Sequence, residues 1–468
     1  MVAMTATDPL ATADLRERAH RHLLMHFTRN GAFGPGGKPL LVLERGEGAY
    51  VFDTEGRRYL DGLSSLFCAQ LGYSFGEEMA SVAAQQLTTL AFNTNWATAH
   101  PPAIELAEAI ADRAPGDLNR VFFTNGGSES VEAAWKLLRQ HYVARGEPQR
   151  TKAIAREIAY HGVTLGALSF TGVAPMKEPF GPAPIPVVRV SNTNAYRAAE
   201  GEDDAARCGR LLDEMERAIV EAGPETVAMI IAEPVQNAGG CLVPPEGYWA
   251  GLRELADRFG IALVADEVIT GFGRIGEWFA APRCGATPDL ITVAKGITSA
   301  YAPMGAVIVS DRIAEPLYED GRMLLHGITY GGHPVAAAMA LRNIEVFERE
   351  GVLENVRAHE SYLGDRLGEL RERLPIVGDV RGAGFFWALE LVRDEAGTRF
   401  SADERERLLR GFLTDRLLEE GLIARPDDRG DAVLHLAPPL ICGRPELDEL
   451  VDKAEAVLAD ASERFFAG

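Results

Sequence analysis

The chain has 468 residues and carries 47 Lys and Arg against 68 Asp and Glu, a formal net charge of −21. A surface of this sign repels phosphodiester backbones and anionic lipids, so nucleic-acid binding and membrane binding are disfavoured. With 47% hydrophobic and 25% charged residues, the composition is typical of a globular protein rather than a disordered or fibrous one. The length accommodates two or three units of roughly 150 residues, or one large α/β core with a smaller appended layer.

The cysteines and the apolar segments bear on the cellular compartment. Five cysteines are widely spaced without a C-x-x-C pair. This spacing argues against a metal site or a disulfide framework and predicts reduced thiols in a cytoplasmic protein. The segment from Met1 to Phe27 interrupts its apolar residues with charges, which predicts an amphipathic helix rather than a signal peptide. The longest apolar runs are far shorter than the roughly 18 residues that span a bilayer, so no membrane segment is expected.

In chain order, the first predicted elements form a small antiparallel meander with strands at Leu40–Leu43, Ala49–Phe52 and Arg58–Leu60. From about residue 75 to residue 335, β-rich runs alternate with helix-periodic segments, which is typical of βα units. The strands predicted in this region are Arg120–Phe123, Met229–Ala232, Ile261–Ala265, Leu290–Ala294 and Gly305–Val309, with helices at Ser130–Tyr142 and Tyr248–Phe259.

The C-terminal part is predicted to be helical from Pro334 to about Leu374, and strands follow at Phe385–Leu391, Leu422–Arg425 and Val433–Leu436. These patterns predict an α/β fold. Residues 75–335 form its large domain, a mostly parallel sheet flanked by helices on both faces. Residues 1–74 and 336–468 together form a smaller α+β domain.

Four of the predicted strands end in polar or glycine-rich residues that suggest one binding site, because ligands of open α/β sheets lie beyond the carboxyl ends of the strands. These ends are at Thr124 to Ser128, Glu233-Pro234, Asp266-Glu267 and Lys295-Gly296. Gly126-Gly127-Ser128 precedes a helix, so its glycines and the free N–H groups of the helix form a cradle for a phosphate. Taken alone, the same residues are equally typical of a tight turn with a serine helix cap.

Asp266 and Lys295 end two other buried strands. A buried carboxylate needs a cationic partner, which a protonated ring nitrogen of a cofactor would supply. A lysine in such a place can form a Schiff base. Each residue alone has an ordinary alternative, a capping aspartate and an exposed lysine. Together with the phosphate cradle, they are the protein groups that pyridoxal phosphate requires.

A glycine-rich segment, Gly271-Phe-Gly-Arg-Ile-Gly276, matches the dinucleotide-binding pattern G-x-G-x-x-G. That pattern needs a long helix after it. Here Pro282, Gly285 and Pro288 follow within a few residues, so the sequence argues against a dinucleotide site.

The chain resembles the class III, or ω-type, pyridoxal-phosphate-dependent aminotransferases along nearly its whole length. The residues that carry the resemblance are Tyr160-His-Gly162, Ile231-Ala-Glu-Pro-Val-Gln236, Leu263 to Arg274, Asp289 to Gly296, His326 to Pro334 and Ala437-Pro-Pro439. The resemblance implies a fold-type-I homodimer with shared active sites, which either stands alone or pairs into a tetramer.

The resemblance also implies roles for single residues. Lys295 would bond to the cofactor and Asp266 would pair with its pyridine nitrogen. The remaining cofactor contacts would come from Tyr160 stacking on the ring, Val268 packing opposite, Gly127 and Ser128 at the phosphate, Glu233 as a supporting carboxylate, and Thr329 reaching the phosphate from the neighbouring subunit. Arg425 matches a mobile arginine that binds a substrate carboxylate; a salt bridge from Arg425 to Asp427, Asp428 or Asp431 is the alternative.

Departures from the family pattern bear on the substrate. Gly126 stands where many relatives carry Ser or Thr. Ile269 stands where ornithine- and GABA-type relatives carry Gln, which favours the amine:pyruvate branch. Phe67 stands where Trp is frequent in that branch and implies a roomier pocket. Trp96 and Asn95 are expected to shape the same pocket, although Trp96 would equally serve interface packing.

The predicted reaction moves an amino group from an amine or ω-amino acid to a keto acid, with pyruvate expected, in two half-reactions. Lys295 would act as the general base. A decarboxylase or an aminomutase of the same fold is an alternative. A noncatalytic cofactor-binding protein is a more distant one, disfavoured by the presence of Lys295, Asp266 and Ser128.

Overall fold

A computed structural model of the protein describes residues 9–34, 36–319 and 321–467. The N-terminal helix predicted within Met1 to Phe27 is present as Pro9–His22, and residues 1–8 lie outside the described residues. No helix of the described residues is long and apolar enough to cross a membrane.

The strands are β1 (Leu43–Glu47), β2 (Tyr50–Asp53), β3 (Arg58–Asp61), β4 (Leu118–Thr124), β5 (Lys152–Arg156), β6 (Val187–Val190), β7 (Val227–Ala232), β8 (Ala262–Asp266), β9 (Leu290–Val293), β10 (Gly305–Ser310), β11 (Val377–Ala383), β12 (Phe386–Leu391), β13 (Leu422–Ile423), β14 (Arg425–Asp427) and β15 (Val433–Leu436).

The helices are α1 (Pro9–His22), the single turn α2 (Ser64–Phe67), α3 (Gly76–Thr89), α4 (Pro101–Ala111), α5 (Gly127–Ala144), α6 (Leu165–Phe170), α7 (Asp204–Ala222), α8 (Tyr248–Phe259), α9 (Asp311–Ala314), α10 (Pro334–Arg349), α11 (Val352–Arg373), α12 (Ala402–Arg405), α13 (Thr414–Glu419) and α14 (Arg444–Phe465). A π-helical stretch, Glu406–Leu413, joins α12 to α13.

In the described part of the chain, the large sheet has the strand order β4-β10-β9-β8-β7-β5-β6. Strand β10 is antiparallel to both of its neighbours, and the run from β9 to β6 is parallel. All residues of β7, β8 and β9 are buried. Helices α4, α7, α8 and α10 pack on one face and α5 and α6 on the other. The prediction of a mostly parallel sheet between helical layers is confirmed.

The smaller sheets have the orders β1-β2-β3-β13 and β11-β12-β15-β14. Strand β13 pairs in parallel with β3, with Leu422 opposite Leu60, so the N-terminal meander and the C-terminal part share one sheet. One hydrophobic core also contains residues of both parts. These contacts support the predicted two-part small domain, whose boundaries stay a prediction.

Several predicted elements differ from the structure. The first strand lies at Leu43–Glu47 rather than Leu40–Leu43, because a two-residue turn at Gly48-Ala49 brings Glu47 opposite Tyr50. The helical region after Pro334 is two helices, broken where Gly351 adopts a left-handed φ of +61°. Strands β5, β6 and β11 are not predicted from the sequence.

Candidate active site

The carboxyl ends of β4, β7, β8 and β9 lie along one edge of the large sheet. Strand β4 is parallel to β9, since both are antiparallel to β10 between them. The residues that follow or end these strands are Gly126 to Ser128, Glu233, Asp266 and Lys295. The topology therefore places the sequence-predicted phosphate cradle, carboxylate and lysine on one crevice, as expected for an open α/β sheet.

Asp266 is a buried carboxylate held by three donors. His161 Nδ1 lies 2.7 Å from Asp266 Oδ2, and Asp266 Oδ1 accepts hydrogen bonds from the Thr292 hydroxyl at 3.1 Å and from the Val268 backbone N–H at 3.2 Å. Within the described residues, no Lys or Arg forms an ion pair with it. The carboxylate is thus fixed in orientation, and His161 is its one ionisable partner among the described residues. A buried carboxylate in such surroundings is further stabilised by a cationic group.

His161 is the residue at this carboxylate that the sequence analysis did not assign. Its side chain is fully buried, and Nε2 has no hydrogen-bond partner among the described residues. Its backbone N–H donates to Thr171 Oγ1 at 3.0 Å, which fixes the loop that also carries Tyr160. Its place beside Tyr160 in the Tyr-His-Gly motif was the available signal.

Lys295 follows β9 in a left-handed conformation, with a φ of +43°. Its Nζ donates to the Leu66 carbonyl at 3.2 Å and lies 6.0 Å from the centroid of the Phe67 ring. Burial lowers the pKa of Lys295 below its ordinary value. A lysine with a lowered pKa has more of the neutral amine that attacks carbonyl groups.

The segment that receives this hydrogen bond is strained. Ser64, Ser65 and Phe67 all have φ between +49° and +61°, a conformation that costs roughly 1–3 kcal/mol per residue unless the surroundings enforce it. Arg274 enforces it: one Nη donates to Ser64 Oγ at 3.0 Å and the other to the Pro438 carbonyl at 2.7 Å. The glycine-rich segment Gly271 to Gly276, which contains Arg274, is buried. Its role is therefore to hold the neighbouring turn, and its backbone is not accessible to a dinucleotide.

The predicted phosphate cradle is shaped by close approaches. A Cβ on Gly127, the first residue of α5, would lie 2.7 Å from a methyl group of Val268. A Cβ on Gly162, whose φ is +114°, would lie 2.5 Å from Ser128 Oγ. The Ser128 hydroxyl accepts a hydrogen bond from the Val163 N–H at 3.0 Å, which leaves its own proton free for an anion. These residues fit a phosphate at the N-terminus of α5.

Gly126 differs from its neighbour. A Cβ there meets nothing within 4 Å, and its φ of −179° is extended backbone that any residue adopts. A serine or threonine would fit, so the missing hydroxyl is a difference in chemistry and is not forced by packing.

Glu233 binds the backbone of Tyr160. Its Oε1 accepts from the Tyr160 N–H at 3.2 Å and its Oε2 from the Asn237 N–H at 2.9 Å. Burial raises the pKa of Glu233 above its ordinary value. The Arg429 guanidinium carbon lies 5.3 Å from the centroid of the Tyr160 ring. Arg429 was not assigned a role from the sequence.

Arg425 lies on β14 with its side chain 30% exposed. Its closest carboxylate is that of Asp427, at 3.8 Å, and it makes no hydrogen bond with the described residues. Burial lowers its pKa. The other two carboxylates considered for it bind other arginines, Asp428 with Arg410 and Asp431 with Arg399. The salt-bridge alternative is therefore reduced to one loose contact.

Phe67 is fully buried and lies edge-on to Phe386, with ring centroids 5.4 Å apart.

Trp96 is 61% exposed, and its indole lies over Gly327, where a Cβ would be 3.0 Å from the ring. Thr329 is exposed on the same segment. No hydrogen bond, ion pair or ring contact of the described residues joins Trp96 or Thr329 to Lys295 within one chain, so these two residues form a separate surface.

Comparison with known proteins agrees with this geometry. Residues 33–458 match the family model of the class-III aminotransferases. The chain belongs to this family. It is 48% identical over 459 residues to a protein of Mycobacterium tuberculosis named "Probable aminotransferase Rv3329", covering 98% of this chain and 97% of the relative.

A second relative is the putrescine–pyruvate aminotransferase of Pseudomonas aeruginosa, 40% identical over 421 residues, with 89% of this chain and 90% of the relative covered. Among solved structures, an (S)-enantioselective ω-transaminase from Thermomicrobium roseum superposes with a TM-score of 0.91 at 42% identity, covering 96% of this chain and 98% of that one. The aminotransferase prediction is confirmed, and amino transfer is favoured over the decarboxylase, aminomutase and noncatalytic alternatives. Enzymes of this class depend on pyridoxal phosphate.

We expect the two neighbouring glycines to respond differently to the same change. Gly127→Ser places a Cβ against Val268 and should destabilise the protein by about 1–3 kcal/mol, the usual cost of overpacking. Gly126→Ser, the matched control, enters open space and should change stability by less than about 0.5 kcal/mol. Thermal unfolding of both variants tests this, and equal melting temperatures would contradict the described packing.

Proposed function

We propose that this aminotransferase binds pyridoxal phosphate in the crevice between Gly127, Asp266 and Lys295. The observation that carries the proposal is the shared position of these residues at one edge of the sheet. There, a buried carboxylate that pairs with no lysine or arginine of the described residues faces the same crevice as a lysine of lowered pKa and a helix N-terminus. These three features match the ring nitrogen, the aldehyde and the phosphate of the cofactor.

Each protein group then has a defined task. Asp266 Oδ atoms, oriented by His161 and Thr292, accept a hydrogen bond from the protonated ring nitrogen. Ser128 Oγ and the first N–H groups of α5 bind the phosphate. Tyr160, whose backbone N–H donates to Glu233, and Val268 would hold the cofactor ring between them. The bound cofactor supplies an electron-withdrawing ring that stabilises negative charge on the substrate carbon.

Lys295 is the proton-transfer group of this proposal. Within the part of the chain that the structure describes, its Nζ forms no ion pair with a carboxylate, and its lowered pKa favours the neutral amine. It can therefore take a proton from the substrate carbon and return it elsewhere. The Leu66 carbonyl, 3.2 Å from Nζ, fixes the resting position of the amine. Both half-reactions use the same amine because one site serves both substrates.

For the substrates, we propose an amine or an ω-amino acid as the amino donor and pyruvate as the amino acceptor. Arg425, free of hydrogen bonds with the described residues, binds the keto-acid carboxylate. Phe67 and Ile269 give the pocket apolar walls, with Phe67 on Phe386. The putrescine–pyruvate relative and the ω-transaminase neighbour support this choice.

We further propose a homodimer with shared active sites. The surface beside Thr329 exposes several large apolar side chains, namely Trp96, Met323, Leu325 and Tyr330, each more than half exposed in the single chain. An exposed apolar surface of this kind marks a protein interface. With that surface covered by a second chain, Thr329 reaches the partner's phosphate and Trp96 borders the partner's pocket.

Lysine labelling tests the cofactor site. Borohydride reduction should fix the cofactor to Lys295 as a stable secondary amine, because that lysine alone follows β9 into the crevice. Peptide mapping by mass spectrometry locates the label. Lys295→Ala should remove it, and Lys136→Ala, on the exposed side of α5, should retain it. A label on another lysine would refute the assignment.

Mixed dimers test the shared site. Lys295→Ala and Thr329→Ala chains should each be inactive as homodimers, and a mixed dimer should regain one intact site from Lys295 of one chain and Thr329 of the other. Activity of purified heterodimers, tagged differently on each chain, provides the measurement. Heterodimers that form but stay inactive would show that Thr329 does not act across the interface.

The substrate role of Arg425 is tested by separating the half-reactions. Arg425→Ala should cost about 3 kcal/mol of transition-state stabilisation with pyruvate, the scale of breaking a buried charge pair. The reaction with an arylalkyl amine that carries no carboxylate should change little and serves as the control. Stopped-flow absorbance records both reactions. Equal losses would indicate that Arg425 is structural.

A further inference from the structure

The β14–β15 hairpin gathers two arginines around one carboxylate at the side of the crevice. Arg425 and Asp427 are two residues apart on β14, so their side chains leave the same face of the strand. Strand β15 pairs antiparallel with β14 and places His435 opposite Arg425. Arg429 follows in the turn between the strands. The hairpin therefore concentrates charge next to Tyr160 and Phe67.

Arg429 forms hydrogen bonds with both carboxylate oxygens of Asp427. Its Nε lies 3.0 and 2.9 Å from the two oxygens of Asp427, its Nη2 donates to Oδ2 at 2.7 Å, and its backbone N–H donates to Oδ1 at 3.3 Å. The Asp427 side chain is 3% exposed. Burial opposes the ionisation of Asp427, but the charge and hydrogen bonds of Arg429 outweigh it, so the pKa of Asp427 lies below its ordinary value.

Arg425 has only a long contact with the same carboxylate. It approaches Asp427 no closer than 3.8 Å. His435 lies at the same distance from Asp427 on its other side, and burial lowers the pKa of His435 to about 3, so this ring is uncharged. Two guanidinium groups thus share the carboxylate of Asp427. Two further carboxylates act on them only as nearby charges, Asp428 on Arg425 and Glu233 on Arg429, without an ion pair among the described residues.

We propose that the Arg429–Asp427 pair sets the specificity of the site for carboxylate substrates. Because Asp427 is bound to Arg429, it does not form a hydrogen-bonded ion pair with Arg425, and Arg425 stays available for a substrate carboxylate. The inference rests on the proposed role of Arg425 as the carboxylate-binding residue and deepens it. Arg429 is a positioning residue in this scheme: it holds Asp427, and Arg425 contacts the substrate.

The reason is competition between two anions for one guanidinium. Without Arg429, the buried Asp427 would need another cation, and Arg425 is the remaining charged partner within 4 Å among the described residues. A direct, hydrogen-bonded Arg425–Asp427 pair would then compete with the incoming carboxylate. Without Asp427, the two guanidinium groups would lose the carboxylate that they share, and the cluster would attract other carboxylates more strongly.

Opposite effects of the two single variants test the proposal. The probe is propionate, an unreactive carboxylate of the size of pyruvate, titrated calorimetrically into the cofactor-loaded enzyme. Arg429→Gln should raise the propionate Kd about tenfold, equivalent to about 1.4 kcal/mol. Asp427→Asn should lower it by a similar factor. Arg429→Lys, which keeps the charge, should lie near wild type.

Controls separate charge from folding. Arg410→Gln breaks an exposed ion pair with Asp428 near the same hairpin and should leave the propionate Kd unchanged. Butylamine, which has no carboxylate, should react with the Arg429→Gln enzyme at the wild-type rate. If Asp427→Asn does not fold, the contrast between Arg429→Gln and Arg429→Lys, together with the propionate-against-butylamine difference, still decides the matter.

The outcomes distinguish the inference from the proposed function. Weaker propionate binding in both Arg429→Gln and Asp427→Asn, or equal losses with propionate and butylamine, would mean that the pair is only structural and would overturn the inference. If Arg425→Ala weakens propionate binding while Arg429→Gln does not, the tuning role alone fails. Propionate binding that is unchanged in Arg425→Ala would instead refute the carboxylate role of Arg425 itself.

Discussion

The buried carboxylate of Asp266 is the constraint on which the rest of the site depends. A carboxylate at the end of an entirely buried strand is unfavourable unless donors and a cation surround it. The protein provides the donors His161, Thr292 and Val268, but within the described residues no lysine or arginine pairs with it. This arrangement supports the proposal that a protonated ring nitrogen binds at Asp266.

The lysine depends on a second constraint, the strained turn at Ser64 to Phe67. A turn with three left-handed, non-glycine residues persists only where its surroundings hold it. Arg274, from a different part of the chain, binds Ser64 and the Pro438 carbonyl together. The same turn presents the Leu66 carbonyl to Lys295 and packs Phe67 against Phe386. A contact between distant segments thus holds the turn that binds the lysine amine.

The sequence predicted those parts of the protein that depend on local pattern. Strands β7, β8 and β9 are continuous apolar runs because both faces are covered, so they were recognisable, and their carboxyl ends indicated Asp266 and Lys295. Strand β11 was missed because Gly378, Asp379 and Gly382 interrupt its pattern. His161 and Arg274 were missed for another reason: their partners lie 105 and more residues away in the chain, and one sequence does not show such pairs.

Asp266 and Arg425 follow the same physical logic with opposite signs. Each is an ionisable group whose ion pairing within the described residues is incomplete: Asp266 pairs with no lysine or arginine, and Arg425 lies 3.8 Å from a carboxylate that already binds Arg429. Complete ion pairing within the chain would stabilise the fold more. A ligand would then have to break an existing ion pair before it could bind. Incomplete pairing gives up some stability and leaves an anion and a cation free to bind groups of opposite charge. In the proposed function, Asp266 binds the ring nitrogen of the cofactor and Arg425 binds the carboxylate of the keto acid.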